Sequence, residues 1–440
     1  MENILITIVC YVADASTFFA FLDALATPDL RGPLESLWEL GLIHTHTTLW
    51  PSLHLTKEIL GDPFSRGHVE VVLQYYTVVK VLWADGDIDW LCRHLEPPMA
   101  VEWVASLPRP RPTTDWFLKC TQLPITSMEV TIWDGSLEAL FPVFATLERL
   151  TVRGEFTTSL ARLFAAAAQP SSKLVELDIE SGCEDTMTAP LLLPMIQWLE
   201  MRPVRTFRFW ALKFDPSVDA TLQQVFFKAL FQRPRAELCI AFNGAPWAHA
   251  ITFFPFSMTS LELDGTLTPR NLWHLADVLP HSPLLTTLKL KHYRTASGHI
   301  HSEESTAALF RLLEALAFSS VQKLALDYCD LWKVDWRRLV PSLQKSTLRT
   351  LSLANNFFEP NDVAYLIHAL RNNSTIKEMN LDGNDLSLRA VTALLDCNLH
   401  RATPLETLRV RIGRVHSEID KAQLYKLAID RGVELVVTWP

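Results

Sequence analysis

Glycine is scarce, with 14 residues in 440. A glycine-rich phosphate cradle would stand out against that background, and no GxxxxGK[ST] phrase occurs. HExxH and GxSxG are missing as well, so neither the zinc-protease helix nor the serine nucleophile elbow can be assembled. The seven cysteines (Cys10, Cys92, Cys120, Cys183, Cys239, Cys329 and Cys397) form no CxxC pair and are odd in number. That usage predicts reduced thiols in a cytoplasmic or nuclear protein and not a disulfide framework. No apolar run reaches the roughly 18 residues of a membrane span. The opening "MENILITIVCYVADAS" carries Glu2 ahead of its apolar stretch and no basic cluster, which argues against a secretory signal. Neither sign of charge dominates, the formal net charge being -9. A dedicated nucleic-acid surface is therefore not expected.

Apolar material is plentiful, at 49% of the chain, and it is arranged periodically. "LSLANNFF" (351–358) returns as "MNLDGNDL" (379–386). Apolar residues at relative positions 1, 4 and 6 recur as Leu147, Leu150, Val152; Leu174, Leu177, Ile179; and Val204, Phe207, Phe209. They continue as Met258, Leu261, Leu263; Leu285, Leu288, Leu290; Val321, Leu324, Leu326; and Leu348, Leu351, Leu353. Ile376, Met379, Leu381 and Leu405, Leu408, Val410 complete the series, while Ile125, Met128, Val130 and the pair Leu238, Ile240 are eroded copies. Positions 4 and 6 share one face of a strand because side chains alternate with period 2. In three successive units Cys329 with Leu331, Asn356 with Phe358 and Asn384 with Leu386 fill positions 9 and 11. An asparagine there can satisfy turn backbone groups that would otherwise be buried unpaired.

Each strand phrase is followed by a helical one. "TSLARLFAAAAQ", "ATLQQVFFKAL", "RNLWHLADVL", "TAALFRLLEAL", "DVAYLIHAL" and "RAVTALLD" place apolar residues near i, i+3, i+4 and i+7. Pro216, Pro269 and Pro360 are expected in first helical turns, where their missing N–H is not needed. A strand and a full helix per unit resembles the long, ribonuclease-inhibitor-like class of leucine-rich repeat proteins, found also in F-box substrate receptors. The resemblance implies an α/β horseshoe of about ten to thirteen units, with parallel strands on its concave side and helices outside. It covers about 147–440 well and 70–146 loosely, and 57–146 is expected to hold irregular early repeats. "LPRPRPTT" (107–114) is expected to be a loop between two of these.

Residues 1–56 do not fit the repeat. Leu5, Ile8, Val9, Tyr11, Val12, Asp14, Phe18, Phe19, Phe21, Leu22, Leu49, Trp50, Leu53 and Leu55 follow the order of an F-box: an opening apolar phrase, a capped apolar helix and a closing Leu-Trp-x-x-Leu-x-Leu. The leucine-proline pair usual before the first helix in that family is missing, and the stretch between Leu25 and Leu49 is longer. The resemblance implies a substrate receptor of an SCF-type ubiquitin ligase, with Leu5, Ile8, Phe18, Leu22 and Trp50 meeting the SCF adaptor. The residues alone allow a second reading, a helical cap that shields the first repeat from water.

No catalytic, cofactor or metal site emerges, and the chain is expected not to be an enzyme. His44 and His46, and His292, His299 and His301, lack convergent further ligands, so polar surface is expected at both places. The long unit containing 292–305 is the best candidate for an inserted loop. Strand positions 3, 5 and 7 should face the concave side and meet a protein partner. The candidates are Arg149, Arg153, Asp178, Glu180, Arg208, Trp210, Glu262, Asp264, Lys289, Lys291, Asn380, Asp382, Arg409 and Arg411. Their sign alternates in blocks, which suits complementary pairing with protein and not a nucleic-acid track.

Overall fold

The computed structural model describes residues 11–83, 87–105, 113–132, 137–154, 160–181, 186–209, 213–242, 251–265, 267–292, 303–331, 334–358, 360–413 and 417–438. The chain divides into two compact units, Met1–Cys183 and Glu184–Pro440.

In the first unit a helical segment precedes six parallel strands: β1 (Leu53–Leu55), β2 (Val78–Val81), β3 (Ala100–Trp103), β4 (Ile125–Ile132), β5 (Arg149–Gly154) and β6 (Glu176–Ser181). They lie in the sheet in chain order. The second unit contains β7 (Thr186–Met187), β8 (Thr206–Phe209), β9 (Lys213–Phe214), β10 (Arg235–Phe242), β11 (Met258–Gly265), β12 (Thr287–Lys291) and β13 (Lys323–Asp327). It continues with β14 (Thr350–Ser352), β15 (Glu378–Leu386), β16 (Thr407–Ile412) and β17 (Glu434–Thr438). β7 and β9 form a separate two-stranded ribbon, and the others again follow chain order. Both units have the architecture of an α/β leucine-rich repeat solenoid, each strand leading through a helix or turn to a parallel neighbour.

The register follows the sequence repeat. Leu261, Leu288, Leu324, Leu351, Met379 and Leu408 lie side by side across successive strands. Every three-position unit from Leu147 to Val410 has its position-4 and position-6 side chains at most 2% exposed. Burying each such side chain contributes on the order of 1.5–3 kcal/mol, so this double row forms the core. The asparagines act as expected. The Asn356 carboxamide oxygen accepts from the backbone N–H of Cys329 at 2.8 Å, and its NH2 donates to the carbonyl of Leu326 at 2.6 Å. Asn384 repeats this one unit later, accepting from the Asn356 N–H at 2.8 Å and donating to the Leu353 carbonyl at 2.9 Å.

Helices form where the 3.6-residue pattern predicts them, including Ala220–Gln232, Pro269–Val278, Glu303–Leu316, Pro360–Asn372 and Leu388–Cys397. Pro269 opens its helix behind a reciprocal Thr268–Asn271 capping box. Pro216 does not open one. It sits in a turn, where the Asp215 carboxylate accepts from the Ser217 N–H at 2.9 Å, and the helix begins at Ala220. The proline-rich 107–114 lies outside the described residues except at its end, between β3 and β4 of one sheet.

The early region is more regular than its sequence. Val79 and Val81, Val101 and Trp103, and Met128 and Val130 are buried pairs at alternating positions, like those of later units. A strand already lies within residues 1–56. Leu53 and Leu55 belong to β1, which pairs in parallel with β2.

Candidate functional site

The solvent-facing positions of the strands are covered by lateral pairs between neighbouring strands. On β5 and β6, Arg149 meets Glu176 at 2.6 Å, and Arg153 reaches Glu180 at 3.2 Å as well as Glu129 of β4. Asp178 lies half-buried beside Thr151 in the same register. On β8 and β10, Arg208 donates to Glu237 at 2.8 Å. On β11 and β12, one carboxylate serves two ammonium groups: Glu262 lies 3.3 Å from Lys289 and 2.6 Å from Lys291. Glu262 is 7% exposed, which corrects the expectation that it stands open to a partner. Burial pushes its carboxyl up, but the hydrogen bond and charge of Lys291, with Lys289 behind, outweigh that and hold it below the ordinary value. Burial likewise pulls the Lys291 ammonium down, and Glu262 reverses the sign. Asp264 is bonded to the His292 ring at 2.7 Å. The alternating charge blocks of the sequence thus neutralise one another across strands about 4.8 Å apart.

The stretch from β13 to β16 differs. Ala325, Ser352 and Ala354 leave a shallow floor of small side chains. Asp327 accepts from the Ser352 hydroxyl at 2.6 Å and the Ala354 N–H at 3.0 Å. The Asn380 NH2 donates to the Ser352 hydroxyl at 3.0 Å, and the Asn380 carboxamide oxygen accepts from the Asp382 N–H at 3.0 Å. Arg409 and Arg411 on β16 are exposed.

Above this floor the strands turn toward the helices through left-handed backbone. Position 8 is glycine at Gly154, Gly265 and Gly383, all with positive φ. His292 (φ 50), Tyr328 (φ 57) and Asn355 (φ 56) occupy the equivalent place, and Asp330 (φ 48) and Phe357 (φ 56) repeat the conformation two residues later. Bulky side chains are rare there because Cβ crowds the carbonyl oxygen, at a cost of about 1–2 kcal/mol each. The turns are tied to the following unit, the Tyr328 N–H donating to the Ala354 carbonyl at 3.0 Å and the Asn355 N–H to that of Asp382 at 2.9 Å. His292 stacks on Tyr328 with ring centroids 4.8 Å apart. Tyr328 is 45% exposed and Phe357 64% exposed. These two aromatics were not among the sequence candidates. The signal for Tyr328 is an aromatic ring where other units carry glycine; Phe357 lies two residues beyond that position in the next unit.

Trp210 and residues 293–302 of the candidate inserted loop lie outside the described residues, as do His299 and His301. His44 bonds Ser65 at 2.9 Å, and His46 stacks on Phe19 with ring centroids 4.0 Å apart. Among the described residues no three His, Cys, Asp or Glu side chains are grouped as a metal site.

At the N-terminal segment, Leu5 and Ile8 are outside the described residues. Phe18, Leu22 and Trp50 are buried. Phe18 stacks on Trp50 with centroids 4.3 Å apart, and the Trp50 indole donates to the Val12 carbonyl. Trp50 also packs against Tyr76, whose hydroxyl donates to the Leu49 carbonyl at 2.5 Å. These three side chains hold the helical segment together and join it to β1 and β2. None of them presents a face to another protein in the folded chain, which corrects their expected place against an adaptor. Leu30, Leu42 and Ile43 are exposed on the same segment.

No family model matches the chain, and no curated protein matches it. Similar solved structures have low identity. The leucine-rich repeat-containing protein LegL7 from Legionella pneumophila shares 15% identity at TM-score 0.39, covering 75% of this chain and 88% of that one. Rad7, solved in a complex with Elc1 in yeast, shares 14% at TM-score 0.44, covering 76% and 80%. TLR13, solved with ssRNA13, shares 11% at TM-score 0.31, covering 88% and 64%. No helix among the described residues is long and apolar enough to cross a membrane.

Proposed function

We propose that the chain is a non-enzymatic scaffold that binds a protein partner on the strand face of β13–β16 and the aromatic rim above it. The observation that carries this reading is the exposure of Tyr328 and Phe357 on left-handed backbone that favours glycine or asparagine. Holding rings there costs stability, and the rings return little burial. An exposed aromatic pair beside free floor space, flanked by Arg409 and Arg411, is the composition of an interface centre. The test is capture from cell extract by the intact chain and by a Tyr328→Gly, Phe357→Gly variant. Glycine suits both backbone sites, so folding is retained and circular dichroism should be unchanged. Loss of a specific partner in the variant supports the reading, and identical capture sinks it.

A finer reading makes the scaffold a substrate receptor of an SCF-type ubiquitin ligase. It is supported by the F-box-like order of apolar residues through Trp50 and by exposed Leu30, Leu42 and Ile43. Binding of the intact chain to a purified SCF adaptor, lost on Leu42→Asp and Ile43→Asp, is the expected result. Failure of the intact chain to bind would leave the segment as a cap only. That rival is favoured by the continuity of Phe18, Trp50 and Tyr76 with β1 and β2. Cys92, Cys120, Cys239, Cys329 and Cys397 are thiols and not disulfides, which supports a reducing compartment, cytoplasmic or nuclear.

A further inference from the structure

The last strand of the second unit is built like an interior strand with one neighbour missing. β17 pairs in parallel with β16 along its whole length, Leu435 beside Leu408 and Val437 beside Val410. Leu408 and Val410 are 0% exposed, whereas Leu435 and Val437 are only half-buried. Among the described residues no strand pairs with the outer edge of β17. The helix before it, Glu418–Asp430, buries Leu424 and Ala428 on one side and leaves Ile419 (69%), Tyr425 (39%) and Ile429 (77%) exposed on the other. Edge strands are ordinarily protected by charge, proline or a bulge. β17 has none of these at its centre, Val436, which is 39% exposed.

We propose that this edge mates with the β17 edge of a second copy of the chain, in antiparallel two-fold pairing centred on Val436. The sequence of the strand supports that occupant. Two-fold pairing about Val436 sets Glu434 opposite the Thr438 hydroxyl of the other copy, Leu435 opposite Val437, and Val436 opposite itself. Like charges never face one another, the apolar pair lies on the core side, and the central pair is β-branched, all favourable across strands. An antiparallel edge supplies both donors and acceptors, so each copy satisfies the other. With the two-fold axis perpendicular to the sheet, both helix layers fall on the same side, where Ile419 and Ile429 extend the apolar seam. The proposal does not depend on the docking role of β13–β16.

Light scattering on the intact chain, across the micromolar range, reads the state directly. A concentration-dependent mass approaching twice 50.0 kDa is expected, and Val436→Lys or Ile429→Asp should return it to 50.0 kDa with an unchanged dichroism spectrum. Register is tested by oxidation, against the parent chain as the thiol background. On a two-fold axis the residue 436 Cα atoms lie about 4.5–5.5 Å apart, within disulfide range. Val436→Cys should therefore cross-link to itself. Glu434→Cys should not, but should cross-link to chains carrying Thr438→Cys. A parent chain that stays at 50.0 kDa throughout, or a dimer indifferent to both Val436→Lys and Ile429→Asp, overturns the proposal. So does a dimer in which Glu434→Cys cross-links to itself.

Discussion

The strand faces of β4–β6 and of β13–β16 repeat the same alternation of buried and outward side chains and differ in how they use it. On β4–β6 the outward side chains are long and charged, and they pair with one another: Arg149 with Glu176, and Arg153 between Glu129 and Glu180. On β13–β15 Lys323 and Glu378 stand outward at the strand starts, but the side chains that follow, Ala325, Ser352 and Asn380, are shorter, and hydrogen bonds gather on Asp327 and Asn380. Beneath that floor, buried asparagines stitch one unit to the next. The first face carries formal charge without much unsatisfied charge. The second has a floor of small side chains, a rim of exposed rings and two exposed arginines. Charge in the sequence is therefore a poor guide to where this fold offers a partner something to bind. What counts is what remains after each strand has been paired with its neighbour.

The largest effect separating the regions should come from Asn356→Ala. It strips partners from the buried Cys329 N–H and Leu326 carbonyl, each worth about 1–3 kcal/mol. Urea unfolding should show a loss on the order of 2–4 kcal/mol. An unchanged midpoint would mean that the turns of β13–β15 do not rely on the asparagine ladder.

Glu262 is an intermediate case, a charged ladder drawn into burial. Its folded pKa lies below the ordinary value, so its stabilisation is present above the unfolded pKa of about 4.3. That stabilisation is lost as pH falls through the lower folded value. Glu262→Gln should unfold more easily at neutral pH, and its difference from the parent should close below about pH 4. Melting temperatures between neutral and acid pH measure this, and a constant difference at every pH contradicts it.

Tyr328→Gly should change stability by no more than about 1 kcal/mol, relief of the left-handed strain offsetting lost stacking and added chain entropy. A larger loss would make the ring a structural element and weaken the contrast between the faces. The smallest effect belongs to Arg149→Ala, about 0–1 kcal/mol, because exposed ion pairs give back in Coulomb energy little more than they cost in order. The same denaturation experiment reads it, and a loss above that range would show the β4–β6 ladder to be structural.

Much of the fold is legible in the sequence because the core is a strict period-2 pair inside a repeat of nearly constant length. Asn356 and Asn384 announce themselves for the same reason. The helices Ala189–Met201 and Trp336–Lys345 are harder to see because each contains a proline, Pro194 and Pro341. The strand at Leu53–Leu55 is short and its periodicity is hidden among apolar neighbours, whereas "VVKV" and "AVEW" still show the alternation of Val78–Val81 and Ala100–Trp103. The site was less legible. Single-strand reading marked Arg149, Arg153, Glu262 and Lys291 as open, whereas their partners lie one whole unit away in the chain. Phe18, Leu22 and Trp50 fit a motif by order, but order does not reveal that their side chains face inward. Tyr328 and Phe357 carry no motif. Tyr328 stands out only once the glycines at the same position are aligned with it, and Phe357 only through its own left-handed backbone.

The most direct test of the central claim is a parallel capture experiment with three chains: intact, Tyr328→Gly with Phe357→Gly, and Arg149→Ala with Arg153→Ala. The account predicts that the partner kept by the intact chain is kept by the arginine variant and lost by the rim variant. Retention by the rim variant with loss by the arginine variant would place binding on the charged face of β4–β6 and contradict it.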